Sequence, residues 1–147
     1  MRQPFGLRLG DVDDELNRLA AQVVDAAFVV RRTLGPGLLE EIYRLAMVEE
    51  LAERQLAPAS RVPLHVMYKE KPLGKGYEAD LIVAGRLVVE LKAVEALHPV
   101  HEAQLLTYMR LAKAPLGFLI NFNSVPFAGG IKRRVLSEFA GQAPTRG

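Results

Sequence analysis

At 147 residues, half of them hydrophobic and 24% charged, the chain has the composition of a folded domain that buries roughly two-thirds of its unfolded surface. That composition excludes a disordered or fibrous chain, and the absence of cysteine excludes disulfides and thiolate metal sites. No apolar run approaches the ~18 residues of a membrane span, residues 1–15 lack the apolar centre of a signal peptide, and a net charge of +2 does not by itself declare a nucleic-acid binder.

The expectation is therefore a soluble, cytoplasmic protein forming one domain over 1–147. Its core runs from about 14 to 137, between a loose N-terminal arm and a frayed tail. Asp11, Asp13 or Asp14 can cap a first helix, along which Leu16, Leu19, Val23, Ala27, Val30 and Leu34 recur at helical spacing. Arg31 and Arg32 fall in its last turn, favoured by the helix dipole, and Gly35-Pro36-Gly37 ends it. A second helix is expected from about Leu38 to Gln55, with Leu38, Ile42, Leu45 and Ala46 as its apolar face. Glu40 stands on another row with Tyr43, Met47 and Leu51. A carboxylate heading an apolar row is costly unless it is paired or only marks the first turn, and the sequence leaves both readings open.

Ala57 to Ser60 reads as a short connection, and alternation at Val62, Leu64, Val66 and Tyr68 as a strand. KEKPLGK (69–75) is turn-like. Two β runs then meet at Ala84-Gly85-Arg86 within GYEADLIVAGRLVVELK (76–92). A hairpin closed there pairs Val83 with Leu87, Ile82 with Val88 and Asp80 with Glu90. Even-numbered side chains then share a face, which crowds Asp80, Glu90 and Lys92 together. Two carboxylates opposite one another need a counter-charge, and a divalent cation is the candidate. Pro99 starts a third helix, where Val100, Ala103, Gln104, Thr107, Tyr108 and Leu111 share a face. LGFLIN (116–121) reads as a buried strand, and Ile131 to Leu136 as an edge strand. A strand–helix–strand crossover leaves strand 116–121 parallel to the second hairpin strand.

Basic residues cluster at Arg31-Arg32, at Lys69, Lys71 and Lys75, and at Lys132-Arg133-Arg134. Each is ordinary solvated surface unless the clusters converge on the charged hairpin. His98 and His101 are read as surface residues ahead of a helix rather than a metal pair.

These motifs resemble a known family. GxxExxY at Gly37, Glu40 and Tyr43, GYEAD at 76–80, VELKAVEAL at 89–97 and HEAQLLTYMRL at 101–111 are similar, in that order, to the GxxExxY proteins of the PD-(D/E)XK nuclease superfamily. The similarity covers about Leu16 to Leu136, although Ala79 stands where that superfamily usually has proline. The resemblance implies an α/β fold with the restriction-endonuclease-like αβββαβ core, a mixed β-sheet flanked by helices. It further implies metal ligation by Asp80, Glu90 and the Leu91 position, a catalytic Lys92, a helix acid at Glu40, and a Gln104/Tyr108 pair shared with RecB-like nucleases. The cation expected is Mg²⁺ or Mn²⁺, since oxygen ligands suit hard cations. The partner expected is nucleic acid, DNA by preference, with a homodimer or another protein partner also open and no membrane. A DNA nuclease, a non-catalytic binding or complex-forming subunit, and a hydrolase of smaller phosphoesters remain the three readings.

Overall fold

A computed structural model of the chain describes residues 11–74 and 76–141; the expected N-terminal arm, Lys75 and most of the expected frayed tail lie outside them. The first helix, α1 (Asp14–Leu34), starts where the Asp13 carboxylate accepts the Leu16 N–H at 2.8 Å. Of the three candidate caps, Asp13 is the one used, and the Arg86 guanidinium holds it from the far side. Helix α2 (Glu40–Glu53) follows the glycine break. Strand β1 (Pro58–Leu64) begins inside the segment expected as a connection, because Pro58, Ala59 and Ser60 pair with Val83, Ile82 and Leu81. The expected continuation of that strand is instead a small ribbon, β2 (Met67–Tyr68) and β3 (Lys71–Pro72). Then come β4 (Tyr77–Val83), β5 (Leu87–Lys92), helix α3 (Pro99–Ala112), β6 (Leu116–Asn121) and β7 (Ile131–Val135).

The main sheet has the order β1-β4-β5-β6-β7, with β5 and β6 parallel and the other neighbours antiparallel. Helix α3 is the crossover between the parallel pair, as the expected strand–helix–strand order requires. Leu81, Val83, Leu87, Val89 and Leu91 face α1 and α2, while Ile82 and Val88 face α3. This is the mixed sheet between helices that the motif order implied. Among the described residues, no helix is long and apolar enough to cross a membrane.

Both shorter helices are rotated from expectation. On α2 the buried row is Tyr43, Met47 and Leu51, all fully enclosed, and the row of Leu38, Ile42 and Leu45 is exposed. Two apolar rows compete on this helix, and Tyr43 decides between them. Its ring stacks on Phe122 at 4.4 Å between centroids and 4° between planes. Its hydroxyl donates to the Gly35 carbonyl at 2.6 Å and accepts the Leu38 N–H at 3.1 Å. Full burial of each of these three side chains stabilises by about 1.5–3 kcal/mol, and only Tyr43 adds a polar tip that the loop can use. The loop is held a second time where the Gly37 N–H donates to Asn123 Oδ1 at 2.8 Å. Gly37 has φ +98°, a left-handed backbone that explains why glycine opens the GxxExxY motif. On α3 the core row is Leu105, Met109 and Ala112, lying over the strand at Gly117, with Gln104 and Tyr108 at its margin.

Tyr43→Phe tests this clamp. It leaves the ring stacked but strands the Gly35 carbonyl and the Leu38 N–H, so urea denaturation should show a loss of about 1–3 kcal/mol. A change below about 0.3 kcal/mol would mean that water replaces the hydroxyl without cost.

Candidate functional site

The site lies where two neighbouring strands part. Strands β4 and β5 pair at Val83↔Leu87, Ile82↔Val88 and Leu81↔Val89, as the sequence register requires, and the ladder stops there. Beyond it β4 stays with β1 as far as Leu64↔Tyr77, whereas β5 stays with β6 as far as Lys92↔Asn121. Near the same level β4 leaves strict alternation, since Ala79 joins Val62 and Leu64 in the layer under α3. Asp80 and Glu90 occupy the first position past the last rung.

There the side chains take over from the backbone. Glu90 Oε1 accepts the Asp80 N–H at 2.9 Å, and Asp80 Oδ2 accepts the Leu91 N–H at 2.8 Å. This reciprocal bracket satisfies two amides that the fork would otherwise leave open. Glu90 is the inner acid, 5% exposed, and Asp80 is half-buried at the rim. Burial first, then the Asp80 charge and a hydrogen bond between the two side chains, push the Glu90 carboxyl up to about 9; the Asp80 amide and Lys92 oppose the shift. A carboxyl pair in contact near neutral pH therefore holds a proton that a cation would displace.

The other expected residues converge to different degrees. Glu40 lies at the start of α2, and its carboxyl is raised by loss of water and by Asp80 and lowered by Lys92. Glu40 is an exposed residue, yet it lies within electrostatic reach of Asp80 and Lys92, which the helix dipole alone does not require. Burial and the charges of Glu90, Asp80 and Tyr77 raise the Tyr108 hydroxyl above its ordinary value, so it stays protonated within electrostatic reach of both acids. Gln104 stands half-buried one turn earlier on α3. Asp80 and Glu40 also line a cleft of about 290 Å³ together with Glu41, Arg44, Arg61 and Glu78. Lys92 makes no ion pair with the exposed Glu95.

Among the described residues, no group of three or more His, Cys, Asp or Glu side chains gathers as a metal cage. The donor set at the fork is of a different kind. Asp80 and Glu90 each engage one oxygen in the bracket. A strand residue aims its N–H and C=O toward the same edge, so Leu91, whose N–H meets Asp80, turns its carbonyl into the fork. Two carboxylates and a main-chain carbonyl fit a hard cation that keeps several waters.

Three features were not read from the sequence. Asn121 is fully buried at the end of β6, where it accepts the Val94 N–H at 3.0 Å and donates to the Val94 carbonyl at 2.9 Å, tying down the chain just past Lys92. Its signal was a lone amide ending the apolar run LGFLIN. His101 accepts the His98 N–H on Nδ1 at 3.0 Å, a helix-capping role, and burial together with Lys92 and His98 lowers its proton affinity. Arg44 and Arg61 reach the cleft without any spacing that marks them, Arg61 paired with Glu78 at 2.9 Å.

The raised Glu90 group makes stability depend on pH. The folded protein keeps a proton that the unfolded chain releases above 4.5, so this group favours unfolding increasingly as pH rises toward about 9. In EDTA, wild-type melting temperature should fall between pH 5 and pH 8 more steeply than that of Glu90→Gln, which keeps the acceptor for the Asp80 amide. Parallel curves would show that Glu90 ionises without penalty.

Comparison with known proteins agrees with this architecture. No curated protein and no solved structure matches the chain. A family model described as the PD-(D/E)XK nuclease superfamily matches residues 17–134, which takes in α2, the forked strands, α3 and most of β7. An acid past the last rung of one strand, an acid-x-Lys run on the next, and a match over most of the chain lead to one conclusion: this protein belongs to the PD-(D/E)XK nuclease superfamily.

Proposed function

We propose that the protein is a divalent-cation-dependent nuclease that hydrolyses DNA phosphodiester bonds at the β4–β5 fork. The observation that carries this reading is the bracketed pair Asp80–Glu90, with Glu90 buried and Lys92 two residues further along β5. Asp80, Glu90 and the Leu91 carbonyl would hold Mg²⁺ or Mn²⁺. Such an ion supplies Lewis acidity to a phosphoryl oxygen and acidity to a water.

The chain's own groups do the rest. The Lys92 ammonium orients the attacking water and stabilises charge developing on the phosphate. Glu40 lies within electrostatic reach of Lys92 and Asp80 from α2, and its raised proton affinity suits it to receive a proton shed at the fork. Tyr108, a protonated hydroxyl within electrostatic reach of both acids, orients them or a phosphate oxygen, and Gln104 offers an amide one turn away. Retention of all three groups, Asp80, Glu90 and Lys92, favours an active enzyme over a degenerate scaffold. The second reading, a non-catalytic binding or complex-forming subunit, draws on the exposed α2 row of Leu38, Ile42 and Leu45 beside the exposed Leu39.

Two variants separate these readings. Mn²⁺ should raise the melting temperature of wild type, and Asp80→Asn should remove most of that gain while the fold survives. Lys92→Met should slow cleavage by about two orders of magnitude or more while DNA affinity falls only as for one lost phosphate contact. Single-stranded, duplex and branched DNA are compared at fixed salt. Wild type that binds one of them and never cuts it with Mg²⁺ or Mn²⁺ would favour the subunit. Cleavage untouched by Lys92→Met would locate the activity elsewhere.

A further inference from the structure

The β2–β3 ribbon contributes no residue to the fork, and core packing does not account for its surface. Met67 pairs with Pro72 and Tyr68 with Lys71, and the Leu73 N–H donates to the Val66 carbonyl at 2.9 Å. The ribbon thus prolongs the β1–β4 pair past the end of the sheet. Its tip is Lys69-Glu70, both left-handed at φ 47° and 69°, the geometry of a tight hairpin turn. Its base is pinned at Gly76, where any Cβ would strike the Leu64 carbonyl. This is a shaped arm rather than slack connection.

Its exposed side chains are mostly apolar or aromatic. Met67, Tyr68 and Leu73 are 55%, 59% and 52% exposed, and Tyr77 at the root of the arm is 48% exposed. Single exposed apolar residues are ordinary, but so many on one short ribbon mark a contact surface. The arm also leads to the site. Tyr77 is three residues from Asp80, about 10 Å along the strand. Its ring lies 5.6 Å from that of Tyr108, which in turn feels Glu90 and Asp80.

Much of the charge in the other basic clusters is spent within the fold. Arg31 is committed to the Phe122 and Ser124 carbonyls, Arg133 to Asp11 and Asn17, and Arg134 to Glu102. Lys69 and Lys71 are exposed on the arm, with Glu70 between them in sequence; Lys69 Nζ lies over one face of the Tyr68 ring, 5.4 Å from its centroid, so a base would stack on the opposite face.

We infer that the β2–β3 arm is a stacking platform for unpaired nucleotides, so that the substrate class is DNA with a single-stranded stretch beside the scissile bond. The inference rests on the nuclease reading of the fork. An exposed ring offers its face to a base, and a base offers its face only when it is out of the duplex. A duplex presents edges and phosphates instead, and gripping it takes many cations. Among the described residues the arm has two lysines against one glutamate, a charge suited to steering a single strand past Tyr68 rather than to gripping a duplex.

The test is binding by the full chain in EDTA, so that no cleavage is needed. The probes are a fluorescein-labelled oligothymidylate of about 15 nucleotides and a blunt duplex of the same length, both read by anisotropy at fixed salt. Wild type should bind the oligothymidylate at least about tenfold more tightly than the duplex. Tyr68→Ala should lower that single-strand affinity by about tenfold, with duplex affinity unchanged, and Tyr68→Phe should restore it. Tyr68 is exposed, so both variants should melt as wild type does. Single-strand affinity unchanged in Tyr68→Ala, or a duplex bound as tightly as the single strand, overturns the inference. Wild type that ignores the oligothymidylate but cuts duplex with Mn²⁺ overturns it and leaves the nuclease reading standing. Tyr68-dependent single-strand binding without cleavage of any DNA keeps the stacking platform but overturns the nuclease reading, and with it the arm's role in presenting a substrate.

Discussion

The structure turns on the exchange of two backbone rungs for two carboxylates where β4 and β5 separate. A sheet that splits exposes unpaired amides, and each buried amide left open costs on the order of 1–3 kcal/mol. Here Glu90 and Asp80 accept those amides across the gap. The same contacts that make the split tolerable fix the carboxyl groups and bring them close enough to share a proton. Stability of the fork and poise for a cation are therefore one arrangement. Its electrostatic strain is concentrated on Glu90, the most enclosed acid among the described residues.

Supports on either side keep the fork in register. On one side Tyr43 fastens the Gly35–Leu38 loop and stacks on Phe122, so Glu40 is presented from a helix whose rotation is fixed. Arg31 bonds the carbonyls of Phe122 and Ser124, and Asn123 holds Gly37, so α1, the loop and the end of β6 form one unit. On the other side Asn121 secures Val94 just beyond Lys92. Most of the residues that hold the site act through backbone carbonyls and amides.

That division explains what could be read from the chain alone. The hairpin register was legible because alternation and the position of the turn leave one pairing, and that pairing puts Asp80 opposite Glu90. The parallel placement of β6 followed from the strand–helix–strand crossover, since the intervening helix returns the chain to the end of the sheet at which β5 began. The faces of α2 and α3 were not legible. Each helix carries two apolar rows, and the choice rests on distant partners, namely Phe122 and the Gly35 carbonyl for α2 and the surface at Gly117 for α3. Reading Pro58–Ser60 as a connection failed because short residues with a proline suggest a turn, whereas an edge position lets proline sit in a strand without losing a rung. The basic clusters misled for a related reason, since sequence cannot tell an arginine spent on carbonyls, such as Arg31, from one left in water.

The fork also changes what the ten-residue interval between Asp80 and Glu90 means. Each acid lies three residues from the pair that closes the hairpin, Val83↔Leu87, and only those two steps place it past the last rung. The residues between, Ala84-Gly85-Arg86, set no distance within the site. A longer loop there would widen the interval by any number and leave the carboxyl groups facing one another. A single insertion between Asp80 and Val83 would turn Asp80 to the opposite side of the sheet, among Leu81 and Val89. The motif is thus two arms of fixed length about a hinge of free length, and its proper measure is distance from the turn rather than distance between acids.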